Sequence, residues 1–217
     1  SAVKIFNQSR RVIFRDNLIT EQPYSNGVWY DVGNHEAVAV NNWIEGAING
    51  FFFEISEGAV VAGNVFVGNE NGVLILNSAN ARVYNNTFVN SPARFWRNER
   101  SAAADHFGWH ASTGPDVDER DGHVFANNLV VADRDFAEPL LQLQQPESLC
   151  SALPEFQVAR VDDHVDSVAV AGNLRVNEEE PVASAGHRGS SVRRALAVRT
   201  PCARRSDRPP SPPRGAR

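Results

Sequence analysis

The sequence predicts an all-β fold, a right-handed parallel β-helix of about six to eight stacked coils that ends near residue 177. One observation is a repeat of apolar residues around a pair of corner residues, of which VYNNTF at 83–88 is one copy. A second is a strand pattern that begins after each of Gly27, Gly50 and Gly72. Units of about 22 residues are too small to bury their own apolar face, so we expect them to stack. Right-handedness follows from the strong preference of parallel crossovers.

The corner of each repeat predicts a ladder of buried asparagines. The ladder positions are Asn17, Asn42, Asn64, Asn86, Asn128 and Asn173. The residues before them are Asp16, Asn41, Gly63, Asn85, Asn127 and Gly172, types that tolerate left-handed backbone. An aligned amide stack satisfies polar groups that would be costly to bury alone. We therefore interpret the ladder asparagines as structural rather than catalytic.

Alternation of side chains along the strand after each glycine separates a core face from an outer face. The core set is Val28, Tyr30, Val32, Phe51, Phe53, Ile55, Val73 and Ile75. The outer set is Trp29, Asp31, Phe52, Glu54, Leu74 and Leu76, and counting on from Asn86 aligns Trp96 with Leu74. An exposed row of aromatic residues marks either a covered surface or a ligand site. Trp29, Phe52 and Trp96 are thus candidate glycan-binding residues, unless another segment folds over them.

Asp31 and Glu54 are the candidate catalytic pair, because the alignment places them side by side on neighbouring coils. Two close carboxylates require a shared proton, a cation or a cationic partner. A shared proton would suit a glycoside hydrolase, whereas a bridging Ca²⁺ would suit a polysaccharide lyase. His35, four residues beyond Asp31, is a candidate base, although a capping or surface role is the alternative.

A polar insertion at about 91–122 interrupts the repeat and contains DHFGWH and GPDVDERDGH. Long loops on rigid repeats often carry function. Its histidines and aspartates match metal-site spacing only weakly, and the alternative is a loop packed over the solenoid by its aromatic residues. If the loop walls a groove, His110 and Arg120 are the candidate substrate contacts.

The repeat resembles that of the pectate-lyase-like superfamily of right-handed parallel β-helices over roughly residues 3 to 177. NGVWYDVGN, FFFEIS and DHFGWHASTGPDVDERDGHVFANNL are similar to a subset of bacterial β-helix proteins without a settled activity. The resemblance implies the fold and an extracellular polysaccharide as the substrate class. It supplies no catalytic residue, because members of the superfamily use different residues on different coils.

The chain divides into a β-helix over 1–180 and a basic, Pro- and Arg-rich tail over 181–217, which we expect to be disordered. Methionine is absent even from position 1, which predicts a processed product or a fragment of a longer protein. The resemblance implies a secreted bacterial protein, whose signal peptide would lie outside this chain. No apolar run is long enough to span a membrane. We expect an extracellular or periplasmic monomer that binds a polysaccharide or oligosaccharide, without nucleic acid or membrane partners. The predicted function is a polysaccharide lyase or glycoside hydrolase, and the alternative is a non-catalytic carbohydrate-binding or adhesive module.

Overall fold

In a computed structural model of the chain, three sheets of stacked strands form a solenoid. The structure describes residues 1–98, 100, 114–133, 136 and 140–144, and the strands 164–165, 168–171 and 174–177. The first sheet has the spatial order β1 (Val3–Phe6), β4 (Gln22–Asp31), β7 (Ala47–Glu54), β10 (Asn71–Leu76), β13 (Ala93–Trp96) and β16 (Leu141–Gln144). The second has β2 (Ile13–Arg15), β5 (His35–Val40), β8 (Glu57–Ala62), β11 (Arg82–Tyr84), β14 (His123–Ala126), β18 (Val168–Ala171) and β17 (His164–Val165). The third has β3 (Leu18–Ile19), β6 (Trp43–Glu45), β9 (Val65–Val67), β12 (Thr87–Val89), β15 (Leu129–Ala132) and β19 (Leu174–Asn177).

The strand order shows how the coils are built, because the chain visits the three sheets in turn before it returns to the first. Within the described strands, every pairing is parallel except that of β17 with β18. The predicted parallel β-helix is therefore confirmed. A short 3-10 helix, Val117–Glu119, lies in the described part of the insertion. No helix among the described residues has the length and apolar character needed to cross a bilayer.

The asparagine ladder forms as predicted through the described coils. The residues before the ladder asparagines have left-handed backbone, with φ values of 58° at Asp16, 55° at Asn41, 65° at Gly63, 55° at Asn85 and 54° at Asn127. Each ladder amide then donates to the side-chain oxygen of the next, over 2.9 to 3.0 Å from Asn17 through to Asn128. Gly172 and Asn173 lie outside the described residues. The stack fixes the corner between the second and third sheets.

The predicted core face is also confirmed, and the recurrent glycines have a steric cause. Val28, Tyr30, Phe51, Phe53, Val73 and Ile75 are buried in one cluster. Val32 and Ile55 are buried too, but they follow the ends of β4 and β7 with left-handed φ values of 53° and 48° and lie outside that cluster. A Cβ atom on Gly27 would lie 2.6 Å from the carbonyl oxygen of Gly50, and one on Gly50 would lie 2.7 Å from that of Gly72. These distances are too short for any side chain, so the repeat needs glycine for space between coils.

Candidate functional site

The candidate site lies on the outer face of the first sheet, where two rows of side chains run from coil to coil. One row aligns Lys4, Trp29, Phe52, Leu74 and Arg94, and the other aligns Phe6, Asp31, Glu54, Leu76 and Trp96. The predicted position of Trp96 was wrong by two residues, because it pairs with Leu76 and not with Leu74. Pro92 occupies the place that the repeat gives to glycine, so the count from Asn86 misplaced the start of the strand.

Asp31 and Glu54 are neighbours on one face, as the sequence predicts, but they are not open to solvent. Only 6% of Asp31 and 2% of Glu54 is exposed. Lys4 Nζ lies 2.8 Å from Asp31 Oδ2, and an Arg100 guanidinium nitrogen lies 2.6 Å from Glu54 Oε1. A shared proton, a bound cation or a cationic side chain could stabilise two close carboxylates, and in the structure each carboxylate contacts a cationic side chain.

Glu54 is held by opposing influences on its protonation. Burial raises the pKa of its carboxyl above the usual range, and the charge of Asp31 raises it further. The charge and hydrogen bond of Arg100 lower the pKa, as does the indole N–H of Trp29, which lies 3.2 Å from Glu54 Oε2. The net direction is upward, because the loss of solvation is the largest of these effects.

Trp29 lies between two neighbours that cover its ring. The Lys4 ammonium lies 3.7 Å from the ring centroid, and the ring of Phe52 stacks on the indole at 5.3 Å and an interplanar angle of 14°. Phe52 and Leu74 continue this row and, together with Leu76 of the neighbouring row, form a second buried cluster. Of the two interpretations of this row, a covered surface and a ligand site, the burial of Phe52 and Leu74 and the neighbours of the Trp29 ring favour the covered surface.

Arg120 stabilises the turn that brings Arg100 to Glu54. Its guanidinium donates to the carbonyl oxygens of Asn98 at 2.6 Å, Arg100 at 2.8 Å and Pro115 at 3.2 Å. Burial lowers the pKa of Arg120 to about 10. The sequence predicted a groove-wall contact for Arg120, whereas only 1% of the residue is exposed and its donors go to backbone carbonyls.

Comparison with known families gives an assignment that fits this fold. Residues 2–113, more than half of the chain, match the family described as periplasmic copper-binding protein (NosD). The chain belongs to the NosD family. That family consists of right-handed β-helices, in agreement with the predicted handedness. No curated protein and no solved structure matches the chain.

The remaining predicted residues of this NosD-family chain lie away from the carboxylate pair or outside the described residues. His35 begins β5 in the second sheet, and its Nδ1 lies 3.7 Å from Glu57 Oε2. His110 lies outside the described residues. Asp116, from the aspartate cluster of the insertion, caps the 3-10 helix by accepting from the backbone N–H of Val117 at 2.8 Å.

Sequence reasoning missed Lys4 and Arg100, the cations that pair with the two carboxylates. Lys4 could have been found, because it lies 25 residues before Trp29, and one coil of the ladder has that length. No signal in the sequence identifies Arg100, since it follows the end of β13 in a turn. Across the residues that the NosD-family structure describes, no group of three or more His, Cys, Asp or Glu side chains could hold a metal ion.

Proposed function

We propose that this chain is a non-catalytic, carbohydrate-binding β-helix of the periplasm or extracellular space. The observation that carries this proposal is the state of the carboxylate pair. The oxygens that a catalyst would use already contact Lys4, Arg100 and the Trp29 indole, in a site that solvent barely reaches. A general acid or base needs hydrogen-bond access to its substrate, and these contacts oppose it.

Two further features support the proposal. The matched family is described as a periplasmic copper-binding protein, which supports a location outside the cytoplasm. On the outer face of the third sheet, Leu18 and Trp43 are both exposed and pair in register on adjacent coils. Adjacent exposed apolar side chains favour an interaction site.

The copper of the family's description does not fit the described residues of this chain. Copper sites are built from thiolate, thioether and imidazole groups. The chain has no methionine, and Cys150 and Cys202 both lie outside the described residues. His123 is buried with its Nδ1 accepting from the backbone N–H of Ala81, and His35 faces one carboxylate only. The proposal therefore assigns copper no role in the described part of the solenoid.

Binding without turnover is the expected result when the full chain is tested on a panel of polysaccharides. Affinity gel electrophoresis would detect binding, and assays for new reducing ends and for unsaturated products, with and without Ca²⁺, would detect cleavage. We expect retardation by at least one polysaccharide and no product in either assay. Product formation by the wild-type chain would contradict the proposal, and so would unretarded migration across the whole panel.

A polysaccharide-active enzyme that uses Asp31 and Glu54 is the second candidate, favoured by the raised pKa of Glu54 beside a second carboxylate. Asp31→Asn and Glu54→Gln test it. If the pair is structural, both variants retain glycan binding, and Glu54→Gln changes the free energy of unfolding by at most about 1 kcal/mol. The lost ion pair is then offset by relief of a buried charge.

The control is Arg100→Gln, which leaves the buried Glu54 without its cation and should cost about 2 to 4 kcal/mol in urea unfolding. Stronger destabilisation by Arg100→Gln than by Glu54→Gln would support a structural pair. A wild-type cleavage activity that both amide variants abolish, with unfolding unchanged, would establish the enzyme instead.

A further inference from the structure

The geometry points to a neutral polysaccharide as the ligand and to the outer face of the third sheet as its site. Trp43 would provide the stacking surface, and Glu45 would accept hydrogen bonds from hydroxyl groups. This inference rests on the proposed binding function and specifies where and what the chain binds. The sequence-predicted aromatic residues of the first sheet are not part of it.

Trp43 differs from Trp29 in its freedom to receive a ligand. It is 43% exposed, and its neighbours in register on adjacent coils are the aliphatic side chains of Leu18 and Val65. Trp29 instead lies between an ammonium group and a stacked ring. A sugar packs its C–H groups on an indole face, so the indole with aliphatic neighbours is the one suited to it.

Glu45 fixes the orientation of this indole and supplies a polar group at its edge. Trp43 Nε1–H donates to Glu45 Oε2 over 2.9 Å, and both residues are exposed on the same side of β6. The hydrogen bond limits the rotamers of Trp43 before any ligand arrives, which lowers the entropy cost of binding. The indole contacts one carboxylate oxygen, Oε2, so Oε1 is the oxygen that we assign to a sugar hydroxyl.

A row of exposed polar corners borders the other side of the Trp43 row. These are the left-handed residues that precede the ladder, namely Asp16, Asn41, Asn85 and Asn127. The amide of Asn41 extends over the next corner, since its Oδ1 lies 2.8 Å from the place of a Cβ on Gly63. Coils recur at about 4.8 Å. The Trp43 position is occupied on successive coils by Leu18, Trp43, Val65, Thr87 and Leu129, so apolar side chains and one hydroxyl alternate beside the corner residues. A repetitive chain of hydroxylated rings matches that arrangement.

The charges of the border favour a neutral chain over a uronate polymer. Glu45 lies on one side of Trp43. On the other side, at the corner of the preceding coil, Asp16 Oδ2 lies 3.7 Å from Arg15 Nε. A uronate stacked on Trp43 would bring its carboxylate beside Glu45, which is unfavourable. Hydroxyl groups instead find acceptors in Glu45 and in the corner amides.

Affinity electrophoresis of the full chain in gels that contain a soluble β-glucan, a galactomannan or polygalacturonate tests the site. We expect retardation by a neutral polymer and none by polygalacturonate. Trp43→Ala should raise the dissociation constant obtained from the retardation by about tenfold or more, because it removes most of the apolar contact. Glu45→Ala should weaken it less. Tyr24→Ala is the matched control, since Tyr24 is an exposed aromatic residue on the first sheet and should leave binding unchanged.

The outcomes separate this inference from the proposed function. If no polysaccharide retards the wild type, the binding function itself fails. If the wild type and Trp43→Ala are retarded equally, the binding function holds and only the proposed site is wrong. Loss of retardation in Trp29→Ala would then place the binding site on the first sheet. Preference for polygalacturonate would overturn the neutral-ligand assignment. Should Trp43→Ala fail to fold, as judged by its melting curve, unchanged binding in Glu45→Ala would overturn the site.

Discussion

Replacing Asn64 by alanine is expected to lower the free energy of unfolding by about 3 to 5 kcal/mol. Asn64 is 1% exposed at the middle of the ladder. Its side-chain amide donates to Asn86 Oδ1 at 3.0 Å and to the carbonyl oxygen of Ala39 at 2.9 Å. Its oxygen accepts from both the backbone N–H and the side-chain amide of Asn42, each at 2.9 Å. Alanine would leave these buried partners unsatisfied, and each costs about 1 to 3 kcal/mol.

Asn17→Ala is the control for that loss, and urea unfolding at neutral pH is the measurement. Asn17 belongs to the same ladder but is half-buried in the first coil, and its amide donates to Asn42 Oδ1 and to the exposed carbonyl of Arg15. Water can replace those bonds, so we expect a loss below about 1 kcal/mol. Equal losses for the two variants would show that the ladder contributes to stability through corner conformation and not through buried hydrogen bonds.

The fold could be predicted because its strongest constraints are local and repeat along the chain. A left-handed corner admits few residue types, so Asp16, Asn41 and Gly63 identify it from sequence alone. The glycines before the first-sheet strands are required by the contact between coils, as at Gly27 and Gly50. Both requirements recur once per coil, and the recurrence determines which strands stack.

The environment of the candidate pair could not be predicted, because it depends on residues that the repeat does not specify. The adjacency of Asp31 and Glu54 follows from register and was correct. Their ion pairs depend on Lys4, in a first coil without the glycine signal, and on Arg100, in a turn held by Arg120. A turn of that kind has no period from which its position could be read.

Trp43 shows that the same alternation could have identified another surface. Asn42 points into the ladder, so the next residue must point outward, and so must Glu45 two residues later. The stretch VAVNNWI at 38–44 contains the ladder residue Asn42, and the outward position of Trp43 follows from it. On the first sheet the predicted outward side chains do lie on the outer face. Phe52 and Leu74 are nevertheless buried, so an outward position there does not imply exposure to solvent.

Acidification between pH 6.5 and 3 is expected to destabilise the chain by up to roughly 4 to 5 kcal/mol through His123. Burial and the charge of Arg97 lower the pKa of His123 to about 3 in the folded chain. Its Nδ1 accepts from the backbone N–H of Ala81 at 3.1 Å, and its ring packs 5.2 Å from that of Phe95. The unfolded chain binds a proton near pH 6.5 and the folded chain does not. The contribution is therefore complete above pH 6.5 and is lost as the pH falls.

His123→Asn isolates this effect, because an Asn oxygen can accept the Ala81 N–H but does not titrate in the acid range. We expect the variant to be less stable at pH 7, where it loses the packing on Phe95, and to lose less stability than the wild type between pH 6.5 and 4. Glu54 acts in the opposite sense, since its raised pKa makes its contribution grow as the pH falls, but it is common to both chains. The difference between the two unfolding profiles therefore reports His123 alone, and parallel profiles would show that the pKa of His123 is the same in the folded and unfolded chains.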